Sequence, residues 1–85
     1  MIKKKNKMNL YKIWQDVNNN FDTWESAVVA ASTEEKARRT HPDIDHVRQN
    51  QPYGWCMVKD VKVELIGVAV AGIKKGVICA SYNAG

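Results

Sequence analysis

The sequence lacks a long apolar run, a secretory signal and any excess of charge in its body. Its longest apolar run, residues 65–71, is far shorter than the ~20 residues that span a bilayer, which excludes a transmembrane helix. The basic start, residues 3–7, is not followed by an apolar segment, which excludes a typical signal peptide. We therefore expect a cytoplasmic protein that has no membrane partner.

Cysteine is also scarce, with two residues in 85. Without an export signal we expect Cys56 and Cys79 to be reduced, with Cys79 in a core strand, since free cysteine packs as a small apolar residue. The alternative is a disulfide between them, which would staple a chain short enough to be marginally stable.

The net charge of +4 belongs to one end of the chain. Four of the 13 basic residues are lysines that precede residue 8, and the nine that remain match the nine acidic residues. We expect residues 1–8 to form a disordered basic tail and residues 9–85 to form a single neutral domain. Nucleic acid is then the less favoured partner, because nucleic-acid binders carry basic stripes on the folded body.

Motifs of catalysis are missing from the sequence. It contains no glycine-rich phosphate loop, no nucleophile elbow and no cysteine–histidine pair at a recognisable spacing. The adjacent carboxylates Glu34 and Glu35 stand at a predicted helix start, where the helix dipole explains them. We therefore expect no enzymatic activity, no catalytic residue and no cofactor.

The densest group of metal-ligand residue types is the segment HPDIDH, with His41, Asp43, Asp45 and His46. A metal site needs three or four ligands that converge at fixed geometry. This segment is broken by a proline, and the addition of Cys56 matches no zinc spacing. We interpret it as a solvated loop without metal; a metal-dependent hydrolase is the alternative.

The pattern of apolar and polar residues predicts four strands. Residues 9–17 are rich in β-branched and aromatic residues, residues 24–31 in alanine and valine, and residues 61–67 alternate apolar with charged side chains. Residues 77–82 form the last strand after a wide turn. The prediction is an α+β fold of order β-β-α-β-β: one antiparallel four-stranded sheet, made of two hairpins, with a single short helix packed on one face.

The segment after the second strand carries the signals of that short helix. Ser32 and Glu35 fit a capping box in which Ser32 is the N-cap. Pro42 disfavours helical geometry in the residue before it and so ends the helix. We expect Ala37 to pack on the sheet and residues 42–56 to form a long polar loop.

Several large aromatic residues lie in or beside the two longest irregular segments. Most rings of a small domain belong to its core, but rings in loops are enriched at the centres of protein interfaces. Runs of asparagine favour turns and offer both hydrogen-bond donors and acceptors. We therefore predict a partner-binding surface made of Asn18, Asn19, Asn20, Phe21, Asp22, Trp24, Tyr53 and Trp55.

Three blocks of the chain stand out: YKIWQDVNNNFDTWESAVVAAS, STEEKARRTHP and the ending VELIG…GVICASYNAG, which together cover most of residues 9–85. In these blocks the chain resembles a family of small, uncharacterised phage and prophage proteins. Family members carry DTYDSAVVAA before a helix that ends in His-Pro, and ASFNAG at the close. In this chain Trp24, Glu25 and Tyr82 replace Tyr, Asp and Phe. The resemblance implies a phage protein but supplies no catalytic residue.

The resemblance shifts the expected function toward interaction with a host. Small phage proteins that are neither structural nor replicative often inhibit host defence, and the β-β-α start is similar in outline to several anti-CRISPR proteins. We therefore expect a non-enzymatic protein that binds and inhibits, or sequesters, a host protein in the host cytoplasm. Exposed sheet edges also lead us to expect a homodimer. The alternative is a protein that binds a nucleotide ligand or nucleic acid by ring stacking.

Overall fold

The computed structural model describes residues 8–17, 22–42 and 54–83. Its strands are β1 (Asn9–Trp14), β2 (Thr23–Ala31), β3 (Lys62–Val68) and β4 (Gly76–Asn83). They form one antiparallel sheet in the order β3-β1-β2-β4. A short helix, α1 (Glu34–Arg38), and a 3-10 turn (Val58–Asp60) complete the described part of the chain. The predicted α+β class, with one antiparallel four-stranded sheet and one short helix, is confirmed.

The order of the strands corrects one expectation about their connections. β1 and β2 form the predicted hairpin, but β3 pairs with β1 and β4 pairs with β2. β3 and β4 are therefore the two opposite edges of the sheet, and the predicted second hairpin is wrong. Residues 69–75 cross the end of the sheet, which is possible because three strand spacings amount to only about 14 Å.

The core lies between one face of the sheet and a layer that contains α1 and the segment before β3. Alternation along β1 places Tyr11 and Ile13 on this face, and Tyr11 pairs with Val29 of β2. Ile13, Val29 and Ala37 have no exposed surface, so the predicted packing of Ala37 on the sheet is confirmed. Burial of a side chain such as Ile13 contributes about 1.5–3 kcal/mol to folding.

Helix α1 begins one residue later than the capping box predicts. Thr33, and not Ser32, is the N-cap: its backbone is extended and its hydroxyl oxygen accepts a hydrogen bond from the Lys36 N–H at 3.2 Å. The third helical residue is therefore Lys36 rather than Glu35, so the reciprocal bond of a capping box cannot form. The Arg38 guanidinium donates to the carbonyl of Val61, which ties the helix to the residue before β3.

The two cysteines have opposite environments, and both thiols are free. Cys56 is buried in the core cluster, whereas Cys79 is exposed in β4. The expectation that Cys79 lies in a core strand is wrong. Cys79 pairs with Val28, whose side chain points to the face opposite the one that carries Val29 and the core, and β4 is an edge strand.

Two expectations about the whole chain stay predictions. The basic tail lies outside the described residues except for Met8, whose carbonyl accepts a hydrogen bond from the Ala69 N–H at 2.8 Å. The assignment of residues 9–85 to a single domain likewise stays a prediction. Within the described ranges, no helix is long and apolar enough to cross a membrane.

Candidate functional site

The two irregular segments predicted to bind a partner meet at one corner of the sheet. The Trp24 N–H, at the start of β2, donates a hydrogen bond to the Gly54 carbonyl at 2.7 Å. Gly54 has a φ of 67°, and a Cβ at this position would lie 3.2 Å from the Asp22 carbonyl oxygen and 3.3 Å from the Trp24 ring. The positive φ and the close contacts favour glycine where the two segments touch.

A buried glutamine, Gln15, stabilises this corner of the sheet through hydrogen bonds of its side chain. Gln15 follows β1 and is 5% exposed. Its side-chain nitrogen donates to the Trp24 carbonyl at 3.1 Å, and its side-chain oxygen accepts from the Val17 N–H at 2.8 Å. One side chain thus holds the exit of β1 and the entry of β2, and it fixes both ends of the connection that contains the asparagine run.

Two aromatic rings form the exposed part of the corner. Trp24 pairs with Tyr82 across β2 and β4, and their ring centroids lie 4.5 Å apart at a tilt of 58°. Tilted ring pairs are favourable beyond the area they bury, so each ring restricts the other. Tyr82 remains 43% exposed, while Trp24 is half-buried and packs against the core. We call Asp22, Trp24, Gly54 and Tyr82 the aromatic corner.

The described members of the predicted surface differ in their exposure. Asp22 is exposed, its φ is 63°, and its N–H donates to the Asn83 carbonyl at 2.6 Å. Trp55 is 5% exposed and belongs to the core cluster, so packing explains this ring by itself. The other members, Asn18, Asn19, Asn20, Phe21 and Tyr53, lie outside the described residues. Their contact with a partner stays a prediction, as does that of Asp22, Trp24 and Trp55.

Tyr82 is the member of the corner that the sequence did not indicate. It stands almost sixty residues from Trp24, in a strand that the sequence pattern paired with β3 and not with β2. Only the pairing of β4 with β2 brings the two rings together. The sequence offered only an indirect signal for Tyr82, namely that this aromatic residue lies in a predicted strand that contains no charged residue.

A second surface feature lies at the other end of the sheet, where β3 ends and β4 begins. Exposed apolar side chains are concentrated there, on the strand ends and on the link that joins them. We call this group the apolar end: Ile66, Val68, Val70, Ile73 and Ile78. Clusters of exposed apolar side chains mark interaction surfaces more often than single exposed residues do.

A third feature is a cleft of about 560 Å³ between α1 and the start of β4. Its floor includes Met8 and Ala31, and its rim carries the cations of Lys36, Arg39 and Lys75. Arg39 is already paired with Glu35 at 2.8 Å, and its side chain is two-thirds exposed. The cleft combines an apolar floor with positive charge, which suits a small anionic ligand.

No metal site is formed by the part of the chain that the structure describes. Among those residues there is no group of three or more His, Cys, Asp or Glu side chains that could hold a metal ion. Asp43, Asp45 and His46 of the HPDIDH segment fall outside the described residues.

Burial, with a smaller effect of the Asp60 charge, raises the pKa of the Cys56 thiol to about 11, so this thiol is neutral at physiological pH.

No protein-family model, no curated protein and no solved structure matches the chain. No residue role can therefore be transferred from a relative, and the resemblance to small phage proteins stays a prediction. The function has to be inferred from the aromatic corner, the apolar end and the cationic cleft.

Proposed function

We propose that the chain is a non-enzymatic phage or prophage accessory protein that binds and sequesters a host protein in the host cytoplasm, as inhibitors of host defence such as anti-CRISPR proteins do. The aromatic corner is the observation that carries this proposal. It presents an exposed tyrosine against a half-buried tryptophan, beside the exposed carboxylate of Asp22. Tyrosine and tryptophan are enriched among the few residues that carry most of the binding energy at the centres of protein interfaces.

The rigidity of the corner supports a binding role. The Trp24 N–H donates to the Gly54 carbonyl, the Trp24 carbonyl accepts from the Gln15 side chain, and the Trp24 ring packs against the Tyr82 ring. Little side-chain entropy is therefore lost when a partner covers these rings, which favours affinity. Asn18, Asn19, Asn20, Phe21 and Tyr53 adjoin Asp22 and Gly54 in the sequence, and we include them in the proposed surface on that ground alone.

The binding test compares two matched substitutions of ring residues. Tyr82→Leu removes an exposed ring from the corner, whereas Trp14→Leu removes a half-buried ring from the other face of the sheet, where Lys12 lies 5.5 Å above it. The tagged full chain is used to capture proteins from lysate of the host, and the captured protein is then purified for titration. We expect Tyr82→Leu to weaken binding at least about tenfold and Trp14→Leu to leave it within about threefold.

Circular dichroism melting establishes that both variants are folded before binding is compared. A partner whose affinity for the Tyr82→Leu variant is undiminished would overturn the proposed surface. Failure to capture any host protein with the unaltered chain would overturn the proposed function.

The cationic cleft favours one alternative, a protein that binds a nucleotide or nucleic acid. Lys36 and Lys75 on the rim of the cleft suit the phosphate groups of such a ligand, while the described residues that line the cleft include no aromatic side chain on which a base could stack. Calorimetric titration with ATP and with a short single-stranded oligonucleotide tests this alternative at two salt concentrations. Salt-sensitive binding that is lost in Lys75→Glu, or on deletion of residues 1–7, would support it over capture of a host protein.

A further inference from the structure

The outer edge of β4 is the surface from which we draw a further inference. β4 pairs with β2 on one side, and no strand within the described residues pairs with its other side. Such an edge presents a row of backbone N–H and C=O groups that can template a further strand. The same is true of β3, so the two edges can be compared directly.

The side chains of the two edges differ in a way that matters for association. β3 carries Lys62 and Glu64, and charges on an edge strand oppose pairing with another sheet. β4 carries no Lys, Arg, Asp or Glu, and all eight of its residues are exposed or half-exposed. Each edge strand also has one register irregularity that skips a residue of its own, Ile66 in β3 and Ile78 in β4, so the difference in charge is the feature that favours pairing along β4.

We propose that two copies of this chain pair along β4, antiparallel and about a twofold axis, to form one continuous eight-stranded sheet. The charges beside β4 select the antiparallel arrangement. Lys74 and Lys75 directly precede β4, so a parallel pair would place four lysines side by side. In the antiparallel arrangement the lysines of the two copies lie at opposite ends of the interface. The two lysines of each copy then lie near the far end of the other copy's β4, which carries no charged side chain. A twofold contact of this kind also closes on itself, which limits assembly to a dimer.

The sizes of the side chains select the register. When Cys79 faces its own copy, Tyr82 lies opposite Gly76 and Ile78 lies opposite Ala80, so that each large side chain meets a small one. An aromatic residue opposite an edge glycine is a stabilising arrangement in antiparallel sheets. Directly opposed residues have Cα atoms about 4.5–5.5 Å apart, and this range lies within that of a disulfide.

The first test places a charge at the proposed axis. Cys79→Lys and Cys79→Glu are compared with the neutral Cys79→Ser by sedimentation velocity from about 10 μM to about 1 mM, a range that covers weak dimers. We expect the unaltered chain and Cys79→Ser to reach twice the monomer mass of 9.6 kDa. In each charged variant the like charges oppose one another, which raises the dissociation constant about fivefold to tenfold. An equimolar mixture of the two charged variants should restore association.

This mixture distinguishes a specific interface from damage to the fold, because each variant supplies the charge that the other needs. A control substitution at an exposed site on the 3-10 turn, Lys59→Glu, should leave the dissociation constant unchanged. A monomer at every concentration would overturn the proposal and leave the β4 edge free. A dimer that the charged variants do not weaken, or that the mixture does not restore, would overturn it as well.

The second test uses Cys79 as a native reporter. Diamide oxidises two thiols to a disulfide and takes up the two electrons and two protons that are released. We expect a covalent dimer on a non-reducing gel from the unaltered chain and from Cys56→Ser, and none from Cys79→Ser. Absence of the covalent dimer under conditions in which sedimentation shows association would overturn the register centred on Cys79.

Discussion

Gln15 is a buried polar side chain that links the segment after β1 to the start of β2 by hydrogen bonds. Its oxygen accepts from the Val17 N–H after β1, and its nitrogen donates to the Trp24 carbonyl in β2. A buried polar group without a partner costs free energy, so this amide is stable in the core only while both bonds are made. The geometry of the aromatic corner depends on it.

The first prediction concerns the loss of these bonds. Gln15→Leu leaves the Val17 N–H and the Trp24 carbonyl without their side-chain partner, and we expect the free energy of unfolding to fall by about 1–3 kcal/mol. Urea unfolding followed by tryptophan fluorescence measures this change. The neighbouring Asp16→Asn removes an exposed ion pair with Lys62 and should have a smaller effect. Equal effects of the two substitutions would contradict the role assigned to Gln15.

The second prediction uses Gln15→Glu to test the two hydrogen bonds separately, because pH decides whether the carboxyl group can donate as well as accept. An ionised carboxylate can accept from the Val17 N–H but cannot donate to the Trp24 carbonyl, whereas a protonated carboxyl group can do both. Burial beside a carbonyl should therefore raise the folded-state pKa of this glutamate above its unfolded value. Its stabilising contribution should be present below about pH 4 and lost as pH rises through the folded pKa. Stability that does not recover in acid, relative to the unaltered chain, would contradict this account.

A third prediction follows from the contrast between the cysteines. Cys56 is buried and the pKa of its thiol is raised to about 11, mainly by desolvation, whereas Cys79 is exposed. Because the thiolate is the reactive form, Ellman's reagent at pH 8 should label the exposed Cys79 rapidly. The buried Cys56 should be labelled only when the chain unfolds. Cys79→Ser should remove the fast phase, and Cys56→Ser should retain it. A fast phase that persists in Cys79→Ser would contradict the burial of Cys56.

At the scale of the element, α1 depends on contacts outside itself, because a helix of five residues cannot be stable alone. Its start is held by the Thr33 hydroxyl, and its end by Arg38, which donates to the Val61 carbonyl. Salt bridges from Glu34 and Glu35 to the arginines are exposed and contribute little. The cap and the Arg38 contact are therefore the polar interactions that position the helix over the core.

The cap yields the fourth prediction, with its own matched control. Thr33→Ala removes the bond to the Lys36 N–H and should lower the free energy of unfolding by about 1 kcal/mol. Ser32→Ala changes the adjacent residue, which the capping box had favoured, and should cost much less. The two midpoints of thermal unfolding report the difference. A larger fall in the unfolding midpoint for Ser32→Ala than for Thr33→Ala would indicate that Ser32 is the N-cap.

Local pattern predicted the elements of this fold but not their neighbours. The β-branched and aromatic residues of the segment 9–17 indicated the strand β1, which ends at Trp14 and so is three residues shorter than predicted. Which of its two faces is buried, the one with Tyr11 and Ile13, became known only from the structure. Nothing in β3 or β4 alone specifies which strand pairs with it, so a hairpin was expected where a crossover occurs. The candidate site was predictable from the sequence only where it depends on local pattern, and not where it depends on strand pairing. The turn residues drew attention to Trp24, whereas Tyr82 could be placed only once β4 was known to lie beside β2.

At the scale of the whole molecule, the strands differ in how many neighbours they have. β1 and β2 are hydrogen-bonded on both sides and carry Ile13 and Val29, which have no exposed surface. β3 and β4 are bonded on one side and carry mostly exposed side chains. Local opening costs least where few buried contacts and few backbone bonds are lost. The free energy that opposes opening should therefore be greatest at the centre of the sheet and smallest at its edges.

Hydrogen exchange measures this gradient and also separates the two edges, which is the last prediction. In dilute solution, amides of β1 and β2 should exchange most slowly, and those of β3 and β4 about equally fast. If two copies pair along β4, raising the protein concentration should slow exchange in residues 77–82 and leave residues 62–68 unchanged, because only the first set gains hydrogen bonds. The Cys79→Lys variant should lose this dependence on concentration while β1 and β2 keep their protection. Added protection in β3 instead would place the interface at the charged edge and contradict the pairing of β4.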